Sequence, residues 1–244
     1  MTARVVSLVP SATETLLAWG VTPVAVTRFC EQPSLPHVGG TKDPDVAAVV
    51  ALAPDLVVMN EEENRREDAD ALAAAGLAVE ALRVRSVGEV TPALTGLARR
   101  LGLDGADVPA PPPPPPAQGA TAFVPIWRRP WTACGADTYG TSVLAHLGIG
   151  NVNAGGGERY PATSLEEAAA RRPDVVVAPS EPYPFRERHV AELSAVAPVV
   201  LVDGQDLFWW GVRTPAALGR LAERLAPYSS RSSWTTRSSR TVPP

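Results

Sequence analysis

Apolar and polar positions in this chain alternate between two textures. Short unbroken apolar runs, the mark of buried strands, give way to stretches with apolar residues three and four apart, the mark of helices packed on one face. In the first half, strands are predicted at residues 4–9, 24–27, 56–59 and 77–82. Helices are predicted between them. Ser11 with Glu14 opens one that Gly20 stops. Asp43 and Pro44 open another through Leu52, Asn64 with Glu67 opens one ending at Gly76, and 87–101 forms an amphipathic helix despite Pro92. The second half repeats the alternation. Strands are predicted at 121–126, 174–178 and 199–202, with helices at 138–147, from Ser164 to Pro173, at 186–193 and at 214–225. Residues 203–213 read as a long loop, and 228–244 lack periodicity and read as a disordered tail.

Between the halves lies 109–116, eight residues of which seven are proline. Consecutive prolines have no N–H to give a helix or a sheet, so an extended spacer is expected, about 3.1 Å per residue. The halves also share a phrase. VVALAPDLVVM at 49–59 and AAARRPDVVVA at 168–178 each end a helix at Pro-Asp and begin a buried strand. The reading is α/β, with a lobe at 1–104, a proline-rich linker at 105–119, a second lobe at 120–227 and the tail at 228–244. Sheets of this kind bind ligands beyond the carboxyl ends of their strands, so the strand-exit loops carry the candidate chemistry.

Composition removes several classes. A net charge of −4 over 244 residues, with no basic stretch, speaks against nucleic acid. Cys30 and Cys134 lie far apart without a CxxC, so neither a disulfide framework nor a structural zinc site is expected. The first apolar run, 5–9, is too short for a signal sequence and no lipid-anchor motif is seen, so the expected location is cytoplasmic as the sequence is written. A misassigned start codon would make it extracytoplasmic.

Of 14 Phe, Trp and Tyr residues, only Trp19 and Phe29 precede the linker. Trp127, Trp131, Tyr183, Phe185, Phe208, Trp209 and Trp210 fall in or beside strand-exit loops of the second half. Such rings suit a bulky flat ligand, or else pack the core; of the adjacent Trp209 and Trp210, exposure of one is expected. Loops of the first half are polar, with Arg28, Lys42, Asn60, Glu61, Glu62, Glu63 and Arg65. They read either as a solvated loop at a helix N-terminus or as a polar wall opposite the rings. His37, His146 and His189 form no metal-binding spacing, and GxSxG, Walker and strand-bound GxGxxG motifs are missing. No catalytic or metal-ligating residue is assigned.

These segments resemble the helical-backbone metal receptor group, the substrate-binding proteins of iron-siderophore, haem and vitamin B12 ABC importers, and within it the cobalamin-binding branch. The resemblance rests on RVVSLVPSATETLLAWGVTPVAVT at the start, VVALAPDLVVMNEEENRREDADALAAAGL in the middle and YPATSLEEAAARRPDVVVAPSEPYPF in the second half, and spans most of 4–225. It implies two Rossmann-like lobes with a ligand cleft between them, holding a corrinoid or metal chelate. Matching loops would place Pro10, Ser11, Phe29, Asn60, Glu61, Trp127, Glu181, Tyr183 and Trp209 at that cleft. Arg28, Phe185 and Trp210 join them from the loop reading above. The group joins its lobes by one long helix, which the proline-rich linker here replaces. It also docks its permease through a glutamate on each lobe, and the first falls on Arg66, beside Glu67.

The expected function is binding of a cobalamin-like corrinoid or other metal chelate (haem, ferric siderophore), with no chemistry and no cofactor of its own. The partners are that small molecule and possible coupling to an ABC permease. Two alternatives stand beside it. One is a cytoplasmic tetrapyrrole-handling enzyme or chelatase using Glu61, Glu62 or His189. The other is a degenerate paralogue that holds a partner protein through its aromatic loops.

Overall fold

The computed structural model describes residues 3–114 and 119–229; the end of the proline run and most of the expected tail, residues 230–244, lie outside the described residues. The first half builds β1 (Val5–Ser7), α1 (Pro10–Ala18), β2 (Ala25–Val26), α2 (Val46–Ala51), β3 (Leu56–Asn60), α3 (Arg66–Ala74), β4 (Val79–Leu82) and α4 (Val87–Arg100). The second builds β5 (Ala120–Phe123), β6 (Pro125–Trp127), β7 (Thr132–Ala133), α5 (Tyr139–His146), β8 (Ile149–Asn151), α6 (Leu165–Ala170), β9 (Val175–Pro179), α7 (Glu187–Leu193), β10 (Val199–Val202), α8 (Gly204–Phe208) and α9 (Thr214–Ser229).

Two four-stranded sheets result, ordered β2-β1-β3-β4 and β10-β9-β5-β8, and every strand pair in them is parallel. Read from its other edge, the second sheet runs second, first, third, fourth in chain order, as the first sheet does. The protein is thus a two-lobed α/β fold built on an internal repeat. The shared Pro-Asp phrase has a physical role. In each half its aspartate accepts a backbone N–H at the start of the first strand, Asp55 from Arg4 at 2.7 Å and Asp174 from Thr121 at 2.8 Å. The third strand is thereby pinned beside the first.

Period-two alternation decides the layers. Leu56 and Val58 of β3, and Val175 and Val177 of β9, face one central cluster that joins the halves. Val57 and Met59 face the helices outside the first sheet, and Val176 and Ala178 those outside the second. Helix α4 gives the centre Val87, Val90, Leu94 and Leu97 at three- and four-residue spacing. Truncating one such leucine to alanine costs about 2–5 kcal/mol.

Several local expectations change. Helix α1 starts at Pro10 after Val9, with no side-chain cap, because Glu14 is drawn instead to Arg213 at 2.8 Å. Asn64 does not cap α3: its amide donates to the carbonyls of Leu8 and Thr41 and its oxygen accepts from the Asn60 N–H, tying three loops together. The cap of α2 is Asp45, whose carboxylate accepts from the Ala48 N–H, while Ser164 and Glu167 form the expected capping box. The loop after β10 contains the unforeseen helix α8. Among the described residues no helix joins α4 to β5. The linker is not a free spacer, however. Trp19, Thr91 and His146 hydrogen-bond the carbonyls of Asp107, Pro109 and Pro112 at 2.7–2.9 Å, and Leu103 and Val108 pack on the central core. An extended proline-rich segment makes no hydrogen bonds within itself, so its carbonyls are free for the lobes' side chains. No described helix is long and apolar enough to cross a membrane.

Candidate functional site

The strand-exit loops of the two halves face one another and touch. Glu62, just beyond β3, accepts from Arg159, in the loop between β8 and α6, at 2.6 Å. Arg85, beyond β4, pairs with Asp137, in the loop before α5, at 2.5 Å. Gln205 of α8 donates to Glu31, beyond β2, at 3.0 Å. The seam between these loops, crossed by charged and polar pairs, is the candidate cleft.

Large apolar side chains exposed among the described residues are Phe29 at 50%, Trp127 at 46% and Tyr160 at 43%. Phe29 and Tyr160 lie in the loops after β2 and β8, and Trp127 is the last residue of β6. The Arg28 guanidinium sits 4.8 Å over the Phe29 ring, and that of Arg159 5.7 Å over Tyr160. Trp127 meets Tyr183 edge to face at 5.7 Å. Exposed rings near the strand ends of both halves are candidate contacts for something else.

Three half-buried carboxylates lie in these loops, Glu62 and Glu63 after β3 and Glu181 after β9. Asn60 Oδ1 accepts from the backbone N–H groups of Glu62 and Glu63, which bends the loop after β3 and turns both glutamates toward the second half. Burial raises the Glu62 pKa against the opposing pull of Arg159. Burial, then the charges of Glu62 and Glu181, push Glu63 up to about 7. Burial also raises Glu181, which takes a hydrogen bond from Trp209. Trp209 itself is half-buried, with Arg213 5.1 Å over its ring.

Of the expected site residues, Arg28, Phe29, Glu61, Trp127, Glu181, Tyr183 and Trp209 are exposed or half-buried in or beside these loops. Five others are not available to a ligand here. Pro10 and Ser11 are buried where the Gly211–Val212 turn of the second half lies against α1, so close that a Cβ on Gly211 would collide with Thr15 Oγ1. Asn60, at 3% exposure, shapes the loop instead of lining it. Phe185 is 3% exposed and stacks on Trp131 at 6.0 Å. Trp210, also 3% exposed, belongs to the central cluster; the backbone at Trp209 is extended, so the two adjacent rings point to opposite sides and one goes inward. The sequence reading passed over Arg85, Asp137, Arg159 and Tyr160, and left Glu62 and Glu63 uncommitted. An arginine beside a tyrosine just after the Gly155–Gly157 loop was the available signal for Tyr160. Among the described residues no three His, Cys, Asp or Glu side chains are grouped to hold a metal ion.

No protein-family model matches the chain. A vitamin B12-binding protein of Salmonella paratyphi A is 25% identical over 198 residues, 71% of this chain and 71% of that one. The periplasmic vitamin B12 binding protein BtuF of Vibrio cholerae superimposes with a TM-score of 0.77 at 20% identity, over 94% of this chain and 99% of that one. The periplasmic haem-binding protein BhuT, in complex with two haems, gives a TM-score of 0.75 at 22% identity, over 94% and 100%. These neighbours are named as binding proteins. With nearly the whole of each chain superimposed, this protein has the fold of the periplasmic vitamin B12- and haem-binding proteins.

Proposed function

We propose that the cleft binds a cobalamin-like corrinoid or another metal chelate such as haem or a ferric siderophore, and that the protein presents it to an ABC permease. The observation that carries this reading is the set of exposed rings, Phe29 in the first half and Trp127 and Tyr160 in the second, on halves whose strand-exit loops meet through charged groups. A flat macrocycle gives such rings apolar area, and its polar substituents give Arg159, Lys42 and the glutamates their partners. The vitamin B12- and haem-binding names of the relatives agree with this ligand class. Their periplasmic descriptions favour the extracytoplasmic of the two expected locations. On this reading, 1–104 and 120–227 are the two lobes that close on the ligand.

The chelatase alternative is not favoured. His189 is buried within the second half, in ring contact with Tyr183 and Phe185, and does not join Glu61 and Glu62. Titration with cobalamin, cobinamide, haem and a ferric siderophore, read by tryptophan quenching and absorbance shifts, tests the proposal. Saturable binding of one of them, weakened by removal of the exposed rings, is the expected result. If none saturates, the ligand class is wrong.

A further inference from the structure

The two halves meet along two unlike surfaces. Behind the cleft the contact is apolar and continuous: the central cluster runs from Val5 and Leu16 through Leu94 to Leu144 and Leu221 without a break between halves. On the cleft side the contact is polar and consists of few groups. Apart from the Gln205–Glu31 bond, those groups are linked. Arg85 of the first half pairs with Asp137 of the second. The backbone carbonyl of Asp137 accepts from Nε of Arg159 at 3.0 Å, and Arg159 returns to Glu62 of the first half. Arg85 also lies 3.8 Å from Glu61, so the network leaves the first half and comes back to it.

Both ends of the Glu62–Arg159 pair are held before they meet. The Glu62 N–H is bonded to Asn60 Oδ1 at 2.7 Å and its carbonyl accepts from Lys42 Nζ at 2.7 Å. Arg159 is held by the Asp137 carbonyl. The two side chains are only 28% and 24% exposed, Arg159 and Glu62 respectively. An ordinary surface pair loses much of its Coulomb gain to side-chain ordering; here that ordering is already supplied by neighbouring bonds. The other Glu62 oxygen, Oε1, is buried without a partner, so the carboxylate is committed to the crossing bond.

We infer that the Glu62–Arg159 pair, with Arg85–Asp137 behind it, is a latch that holds the cleft shut in the ligand-free protein, the apolar contact behind it serving as the hinge. This rests on the reading of the cleft as the ligand pocket, because the pair ties together the two lobes that would part to take the ligand. Domain motions of this kind need one stable contact and one breakable contact, and water can replace the polar one group for group.

The test needs no ligand. Spin labels at Ala47→Cys and Ala195→Cys, exposed positions in the first and second halves, are placed in a background with Cys30→Ala and Cys134→Ala. Pulsed electron-spin spectroscopy then gives the distance distribution. Glu62→Gln and Arg159→Gln are expected to enlarge a longer-distance population roughly two- to fivefold. The exchanged pair Glu62→Arg with Arg159→Glu should return the original distribution. Raising salt on the otherwise unaltered protein should act as the single variants do, which covers the case of a variant that fails to fold. Identical distributions in both single variants and in high salt overturn the latch and leave the ligand proposal standing. Failure of every candidate ligand to bind overturns the ligand proposal without touching the distances.

Discussion

Replacing Glu63 by glutamine should change how stability depends on pH. Burial and the neighbouring charges of Glu62 and Glu181 lift this carboxyl from its ordinary 4.5 to about 7. The folded protein therefore holds the proton more tightly than the unfolded chain does. For such an acid the stabilising contribution is fully present below pH 4.5 and is lost as pH rises through about 7. At 1.36 kcal/mol for each pH unit, the interval sets a ceiling of about 3 kcal/mol. Glu63 is partly open to water and Lys42 is near, so we expect about 1–3 kcal/mol. Urea unfolding of the parent and of Glu63→Gln at pH 5 and pH 8 measures it. The difference should be small at pH 5, where the folded carboxyl is neutral and only the unfolded chain has begun to ionise, and the variant should be more stable by a clearly larger margin at pH 8. Glu62 and Glu181 are raised in the same direction, so the variant should still lose some stability with pH, though less steeply. Parallel pH profiles for the two proteins would refute the placement of Glu63 in a desolvated part of the cleft.

Three further outcomes follow from the packing. Trp210→Ala should cost about 3–5 kcal/mol in chemical denaturation because it empties a core position, whereas Trp209→Ala should cost less and be felt in ligand titration. Gly204→Ala should destabilise by about 1–3 kcal/mol, since a Cβ there meets the Glu181 backbone at 2.6–2.8 Å; equal denaturation midpoints would count against that close approach. Phe29→Ala, Trp127→Ala and Tyr160→Ala should each weaken calorimetric binding of a planar metal chelate by about 0.5–1.5 kcal/mol. Their unfolding midpoints should stay near the parent's, as these rings are about half exposed.

The repeat, the alternation of strands and helices, and the lack of a helix over the described part of the proline run could all be read from residue order. Each is a local property: a strand is a short apolar run, a helix stop is a glycine such as Gly20 or Gly76, both at positive φ, and a proline cannot donate to either element. The likeness of 49–59 to 168–178 likewise needed no coordinates, although only the structure gives its reason, the aspartate clamp on the first strand. The exposed Phe29 and Trp127 were also legible, because strand ends and the loops after them are where such rings become available.

What residue order left undecided depends on groups distant in the chain. Ser11 and Glu14 have the spacing of a capping box, but Arg213, nearly two hundred residues later, claims the glutamate. Phe185 and Trp210 have the same composition of neighbours as Tyr183 and Trp209, and only the path of the backbone turns two of the four rings inward. Glu62 and Arg159 are separated by 97 positions, and no periodicity links them. Local pattern fixes which elements exist; which loops close on one another, and which charges are stripped of water there, is settled by packing both halves on one shared core.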